Sequence, residues 1–257
     1  MDESLQTLTD FAEYLADEAG KVIRPYFRQN FAVSNKENGT PVTDADKKAE
    51  EVMRKLIDIN YPDHGIFGEE FGEENTDKEY VWVLDPIDGT TSFISGRPTF
   101  GILISLLKNK KPIIGVVDQP IIAERWVGAD KKTELNYNKI RTRKCNMLEE
   151  AVFATTSPDL FQPTEKPMVE NIVRHAEITI YGGDCYSYGQ LAMGGVDVVV
   201  ESGLQPYDFM ALVPVVENAG GIITDWKGEK LSLYSKGDVI ACGDAILHQK
   251  LISEYLG

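Results

Sequence analysis

The stretch Trp82-Val83-Leu84-Asp85-Pro86-Ile87-Asp88-Gly89-Thr90-Thr91-Ser92-Phe93 leaves this chain few ways to fold. It reads as a buried strand that ends in two carboxylates and runs into a Gly-Thr-Thr helix start. A lone carboxylate at the end of a buried strand is costly, so Asp85 and Asp88 call for cationic partners. Two carboxylates at this separation can share a pair of hard divalent cations. Free backbone N–H groups at a helix start can hold a phosphate. A metal pair facing a phosphate cradle is the equipment of metal-assisted phosphoester hydrolysis.

The net charge of −15 disfavours nucleic acid and anionic membrane surfaces as partners. It would also repel a phosphate substrate unless bound cations inverted the local field. No apolar run approaches the ~18 residues of a membrane span. The acidic start Met1-Asp2-Glu3-Ser4 lacks the features of a signal peptide. Cys145, Cys185 and Cys242 are odd in number and scattered, which suits a reducing cytoplasm and predicts neither a disulfide framework nor a zinc site. Asn38-Gly39-Thr40 is then a chance match to a glycosylation sequon.

Periodicity predicts an amphipathic helix over residues ~4–27 and a second one with the stripe Ala45, Ala49, Val52, Met53, Leu56 and Ile57, ending near Asn60. Between them Lys36 to Pro41 is a polar turn. Strands are expected at Tyr80–Leu84, Gly101–Leu107, Ile113–Gln119 and Arg125–Gly128, with Pro86 fixing a turn between the two aspartates. The polar stretch from Asp130 to Cys145 looks like a hairpin at a lobe boundary. Beyond it, strands at Val152–Thr156, Ile178–Tyr181, Val196–Glu201, Ile222–Asp225 and Val239–Cys242 alternate with helices at Tyr186–Met193, Tyr207–Asn218 and Ile246–Leu256. This is a layered α/β protein. We expect one unit, 1–257, made of two packed lobes at about 1–145 and 146–257.

Other phosphatase chemistries fail on spacing. No cysteine precedes an arginine by six positions, and Asp44-Ala45-Asp46 is followed by Lys48 where an aspartyl-nucleophile motif wants Thr or Val. There is no Gly-rich Walker loop. His64, His175 and His248 are too scattered for a histidine metal cage. Oxygen ligands alone point to Mg²⁺, with Mn²⁺ a plausible substitute. Taken singly, Glu69 and Glu70 could be surface charges. Asp208 could be a helix cap, and Asp46, three residues after Thr43, part of a capping box.

Gly68-Glu69-Glu70, then Asp85-Pro86-Ile87-Asp88-Gly89-Thr90-Thr91, then Tyr207-Asp208 with Ala219-Gly220-Gly221 downstream, resemble the inositol monophosphatase superfamily in order and along essentially the whole chain. The resemblance implies an αβαβα sandwich of the inositol monophosphatase and fructose-1,6-bisphosphatase type. It implies two or three Mg²⁺ ions and a homodimer. It makes Glu69, Asp85, the Ile87 carbonyl, Asp88 and Asp208 metal ligands. Thr90 and Asp46 become the pair that orients the attacking water, with Glu69 holding the metal that activates it. The amides of Gly89, Thr90 and Thr91 become the phosphate cradle. Lys36 occupies a loop position that lies near the metals in relatives.

Further segments resemble the histidinol-phosphate phosphatase branch: Phe71-Gly72 after Glu70, Asp118-Gln119-Pro120, Glu124 to Gly128, Gly182-Gly183-Asp184-Cys185-Tyr186, and Leu204 to Asp208. Histidinol phosphate carries an ammonium and an imidazole, and Asp184 with Glu201 would supply acidic partners for them. The rival expectations are an inositol-1-phosphate or broad sugar-phosphate phosphatase, a nucleotide 3′-phosphatase, and a metal- and phosphate-binding regulatory protein without turnover.

Overall fold

The computed structural model describes residues 4–29, 33–35 and 41–256. Lys36 and the sequon at Asn38 lie outside the described residues. The chain opens with α1 (Leu5–Ile23), capped by the Ser4 hydroxyl, which accepts from the Thr7 amide. After the pair β1 (Val33–Asn35) and β2 (Pro41–Thr43) comes α2 (Asp44–Asn60). There follow β3 (Gly65–Gly68), β4 (Gly72–Glu74), β5 (Tyr80–Asp88) and the short α3 (Thr90–Ser95). Next come β6 (Gly101–Lys108), β7 (Lys111–Gln119), β8 (Glu124–Ala129), β9 (Lys132–Leu135) and β10 (Asn138–Ile140). The remainder holds β11 (Val152–Thr155), α4 (Lys166–His175), β12 (Ile178–Tyr181), α5 (Tyr186–Ala192) and β13 (Val198–Glu201). It closes with α6 (Pro206–Phe209), α7 (Leu212–Asn218), β14 (Ile222–Thr224), β15 (Val239–Cys242) and α8 (Ala245–Leu251), the last running into a π-helical turn at Ile252–Leu256.

Two sheets carry the fold. One has eight strands in the order β10-β9-β8-β7-β6-β5-β3-β4, and the other five in the order β12-β11-β13-β15-β14. Three apolar clusters mark the layers between them. Ala12, Leu15, Ala19, Ala49 and Met53 of α1 and α2 meet Trp82, Leu84, Ile102 and Ile104 on one face of the first sheet. Val83, Leu103 and Trp126 on its other face meet Tyr188, Leu191, Val215 and Val216 of α5 and α7, with Val199 and Ala241 of the second sheet behind them. Phe153, Val198 and Ile240 on the far face of that sheet are covered by Ile172 of α4 and Leu247 and Leu251 of α8. The layers therefore run α, β, α, β, α, as expected.

Helix α7 lies unusually close to the first sheet because two glycines face it. Gly115 of β7 and Gly128 of β8 are paired across the strands. A Cβ on Gly115 would sit 2.0 Å from the Ala211 carbonyl oxygen, and one on Gly128 would sit 2.4 Å from the Pro214 carbonyl. The pair makes a notch in the sheet into which helix backbone fits.

Three expectations need correction. Strand β5 does not turn at Pro86; it continues to Asp88, and its register with β6 shifts between Asp85 and Asp88. A bulge is where a sheet tolerates a proline, which has no ladder hydrogen to give. The single helix expected over Tyr207–Asn218 is two helices broken at Met210 and Ala211. Pro214 lacks the N–H that would bond the Met210 carbonyl. The Ser105 hydroxyl on β6 lies 3.2 Å from that carbonyl and 2.9 Å from the Ile114 carbonyl, and its one proton is shared between them. Helix α4 went unread, since only Val169 and Ile172 of its ten residues are buried.

Candidate active site

The bulge of β5 and the starts of two helices bring the acids together. Asp85, Asp88 and Asp208 offer oxygen atoms that all lie within 4.8 Å of one another. Asp85 is buried, with Oδ1 accepting from the Ile87 amide within the bulge at 3.0 Å. Asp88 Oδ2 accepts the Cys185 amide at 2.7 Å, which ties the cluster to the start of α5. Glu69 follows β3, whose Gly68 pairs with Leu84 of β5, and so stands beside Asp85.

Asp46 and Asp208 solve the same problem in the same way. Each is the third residue of its helix, in a capping box with the residue before the helix. Asp46 Oδ2 accepts the Thr43 amide at 2.8 Å and the Thr43 hydroxyl at 2.5 Å. Asp208 Oδ2 accepts the Gln205 amide at 2.6 Å. One oxygen thus serves the helix and the other is left for the site. In Asp46 that second oxygen, Oδ1, is buried with no hydrogen-bond partner. Both acids cap their helices, and the cap leaves one oxygen of each for another partner.

So many carboxylates without a cation cannot all stay ionised. Burial, then the neighbouring Glu69, Asp88 and Asp208, push Asp85 well above the usual carboxylate range. Burial, then Asp208 and Asp184, do the same to Asp88. Asp208 is pushed up to about 7 by burial, against the pull of the Gln205 amide. Asp46 is pushed up to about 6 by burial, against two hydrogen bonds from Thr43. Three carboxylates whose oxygens converge and repel one another offer hard ligands that fit a divalent cation.

Stability should therefore depend on pH and on metal together. A carboxyl whose folded pKa is raised from 3.8 binds its proton more tightly when folded. Its stabilising contribution is full below the unfolded value and is lost as pH rises through about 6 for Asp46 and about 7 for Asp208. Saturating Mg²⁺ at ~100 times its dissociation constant would add ~2.7 kcal/mol, or roughly 5–10 °C. The gap between melting curves with Mg²⁺ and with chelator should be wider at about pH 8 than at about pH 5. A gap that is absent, or that narrows with rising pH, would refute a clustered acidic metal site.

Beside the acids, α3 starts at Gly89, whose φ of +81° is open to glycine at little cost. The first amides of a helix have no acceptor within it, so those of Gly89, Thr90 and Thr91 are suited to an anion. The Thr90 hydroxyl donates to the Ile87 carbonyl at 3.2 Å. That carbonyl keeps a second lone pair.

A pocket continues away from Asp88 and Asp208, lined among others by Asp184, Cys185, Glu201 and Thr156. Asp184 has φ +45° and its amide donates to the Thr156 hydroxyl at 3.1 Å. Its Oδ2 accepts from Ser92 at 2.6 Å and Thr99 at 2.9 Å. A Cβ on Gly89 would stand 2.6 Å from the Asp184 Cγ, so the absence of a side chain at 89 makes the room for this carboxylate. Glu201 is buried and accepts the Thr156 amide at 3.1 Å and the Tyr188 hydroxyl at 3.0 Å. Burial, against these bonds, pushes it up to about 7.

Sequence reasoning missed Thr156, Ser92, Thr99 and Tyr188, which hold these two acids. Nothing in their spacing marks them. It also missed Glu50, whose place beside the apolar stripe of α2 is an unusual one for a charge.

Among the described residues no helix is long and apolar enough to cross a membrane. A model of the inositol monophosphatase family matches residues 4–256. The bifunctional phosphatase IMPL2, chloroplastic, of Arabidopsis thaliana is 47% identical over 98% of this chain and 75% of its own length. A histidinol-phosphatase of Chlorobaculum parvum is 36% identical over 88% of this chain and 89% of its own. The solved structure of an inositol monophosphatase from Zymomonas mobilis superposes with a TM-score of 0.91 at 45% identity, covering 98% of both chains.

Proposed function

We propose, for a chain that belongs to the inositol monophosphatase family and is a metal-dependent phosphatase, that the substrate is L-histidinol phosphate and the reaction its hydrolysis to histidinol and phosphate. The observation that carries this reading is a second pair of carboxylates, Asp184 and Glu201, lining the pocket that leads away from the first cluster. A neutral cyclitol needs only hydroxyl partners there. A leaving group with an ammonium and an imidazole finds opposite charge. A relative bearing the name histidinol-phosphatase supports it.

In this reading Glu69, Asp85, the Ile87 carbonyl, Asp88 and Asp208 hold Mg²⁺, with Mn²⁺ able to substitute. The bound metal supplies an activated water and charge stabilisation for the departing alkoxide. Thr90 and Asp46 orient the attacking water, and the free Oδ1 of Asp46 is the acceptor for it. The amides of Gly89, Thr90 and Thr91 meet the charge that spreads over the phosphoryl oxygens. Asp184 and Glu201 bind the cationic end of the substrate. The exposed apolar side chains Ile178, Ile180 and Tyr181 on the edge strand β12 support a homodimer. Three free, buried cysteines suit a reducing compartment such as the cytoplasm.

Asp184→Ala tests the substrate. A charge-assisted hydrogen bond is worth ~1.5–3 kcal/mol. Its loss should lower kcat/KM for histidinol phosphate by roughly 10–100-fold. Glycerol 2-phosphate, whose leaving group has no cation, should be turned over almost as before. Equal losses on both substrates would make Asp184 only the acceptor for Ser92 and Thr99. Faster turnover of inositol 1-phosphate than of histidinol phosphate by the parent enzyme would overturn the assignment outright.

A further inference from the structure

Glu50 is a fully buried acid that the chemistry above does not use. It lies on α2 one turn after Asp46. Its carboxylate accepts from the Glu70 amide at 2.8 Å, the Phe71 amide at 3.2 Å and Arg54 Nε at 2.8 Å. Arg54, a further turn along, also donates from Nη2 to the Gly72 carbonyl. Its Nη1 lies 3.6 Å from Glu74 Oε2. One ion pair, its carboxylate fully buried and its guanidinium partly so, thus grips the backbone of residues 70–72, in and just after the turn that Glu69 opens. On the other side the Glu69 amide donates to the Leu84 carbonyl at 3.1 Å, one residue before Asp85. Gly68 completes the arrangement. A Cβ there would fall 2.0 Å from Glu50 Oε1, so the carboxylate fills the space any other residue would need.

A contribution to stability alone is a poor explanation. Replacing a buried ion pair by apolar groups of similar volume is often neutral or stabilising. What the pair does supply is a restraint placed where one is needed. Glu69 follows Gly68, which pairs with Leu84, and so stands beside Asp85 on the neighbouring strand, where like charges drive its side chain outward. Glu50 acts on the amides that follow Glu69 and not on its carboxylate.

We propose that Glu50, backed by Arg54, is a positioning residue that holds Glu69 against Asp85 and so sets the affinity of the site for its divalent metal. This rests on the ligand role proposed for Glu69. Outer partners of metal ligands are worth roughly 10–100-fold in affinity.

Glu50→Gln keeps the size of the side chain but turns an NH₂ group towards one of its donors. It should raise the Mg²⁺ concentration for half-maximal activity by roughly 10–100-fold. At saturating Mg²⁺, kcat and the KM for the phosphate ester should stay within about twofold of the parent. The Mg²⁺-dependent rise in melting temperature, read without substrate, should shift to higher Mg²⁺ by the same factor. Glu69→Gln measured alongside should shift at least as far. An unshifted Glu50→Gln beside a shifted Glu69→Gln would overturn the positioning role and leave the ligand assignment standing. An unshifted Glu69→Gln would overturn the ligand assignment and the inference with it. Should Glu50→Gln fail to fold, Arg54→Gln leaves both amide bonds to Glu50 in place and should give a smaller shift in the same direction. A parental Mg²⁺ titration in that variant would overturn the proposal.

Discussion

Asp88→Asn should reduce turnover by at least about 10³-fold while the protein stays folded. In free energy that is ~4 kcal/mol of lost transition-state stabilisation. The expectation that the fold survives comes from the hydrogen bonding. Asp88 Oδ2 accepts the Cys185 amide at 2.7 Å, and an amide oxygen can do the same. The variant also removes one member of a group of mutually repelling carboxylates. Without metal it should melt no lower than the parent, and its gain from Mg²⁺ should shrink. Loss of activity with an unchanged metal-free melting temperature is the signature to look for. Near-normal turnover at saturating Mg²⁺ would refute the assignment of Asp88 to the metal site.

Gly128→Ala should cost about 3 kcal/mol or more, although it adds only a methyl group. Overpacking usually costs ~1–3 kcal/mol, and here the colliding atoms are backbone. A Cβ at 128 meets the Pro214 carbonyl at 2.4 Å and the Val215 nitrogen at 2.5 Å, neither of which can rotate away. For a chain of this size the drop in melting temperature should be at least ~6 °C. Activity should fall as well, because α7 continues from α6, where Asp208 sits. Denaturant unfolding and a Mg²⁺ titration would check the two effects together. A variant that melts like the parent would mean that helix and sheet do not approach this closely.

Most strands were legible from their runs of branched and aromatic residues, but β3 and the Gly-Glu-Glu strand β4 were not. Ile178–Tyr181 and Val239–Cys242 agree with the structure to the residue. Helix α4 was not legible, because a stripe of two buried residues carries little periodic signal. The break between α6 and α7 could have been suspected from Pro214, but the hydroxyl that the freed acceptor shares with the Ile114 carbonyl is that of Ser105, more than a hundred positions earlier. Asp85 and Asp88 stood out as carboxylates ending a buried segment, whereas Glu69, Asp46 and Asp208 were marked only by the family resemblance. How they are held could not. The partners of Asp184 are Ser92, Thr99 and Thr156, ordinary hydroxyls with no pattern between them. Sequence periodicity describes which face an element buries, and a hydrogen bond between distant loops leaves no trace in it.

The nesting of Asp184 against Gly89 also restricts how this pocket can be retuned. The carboxylate occupies the volume that a side chain at 89 would take, and it does so directly behind a peptide assigned to the phosphate. A longer side chain following the same path from 184 would press on that peptide and displace an amide suited to the anion. Under the roles proposed for Asp184 and the Gly89 amide, the shape of the leaving group and the grip on the phosphoryl group are therefore not independent variables. A lineage, or an engineer, seeking a bulkier alcohol can gain room at 184 by shortening the side chain. Building a new contact by lengthening it would be charged against the chemical step.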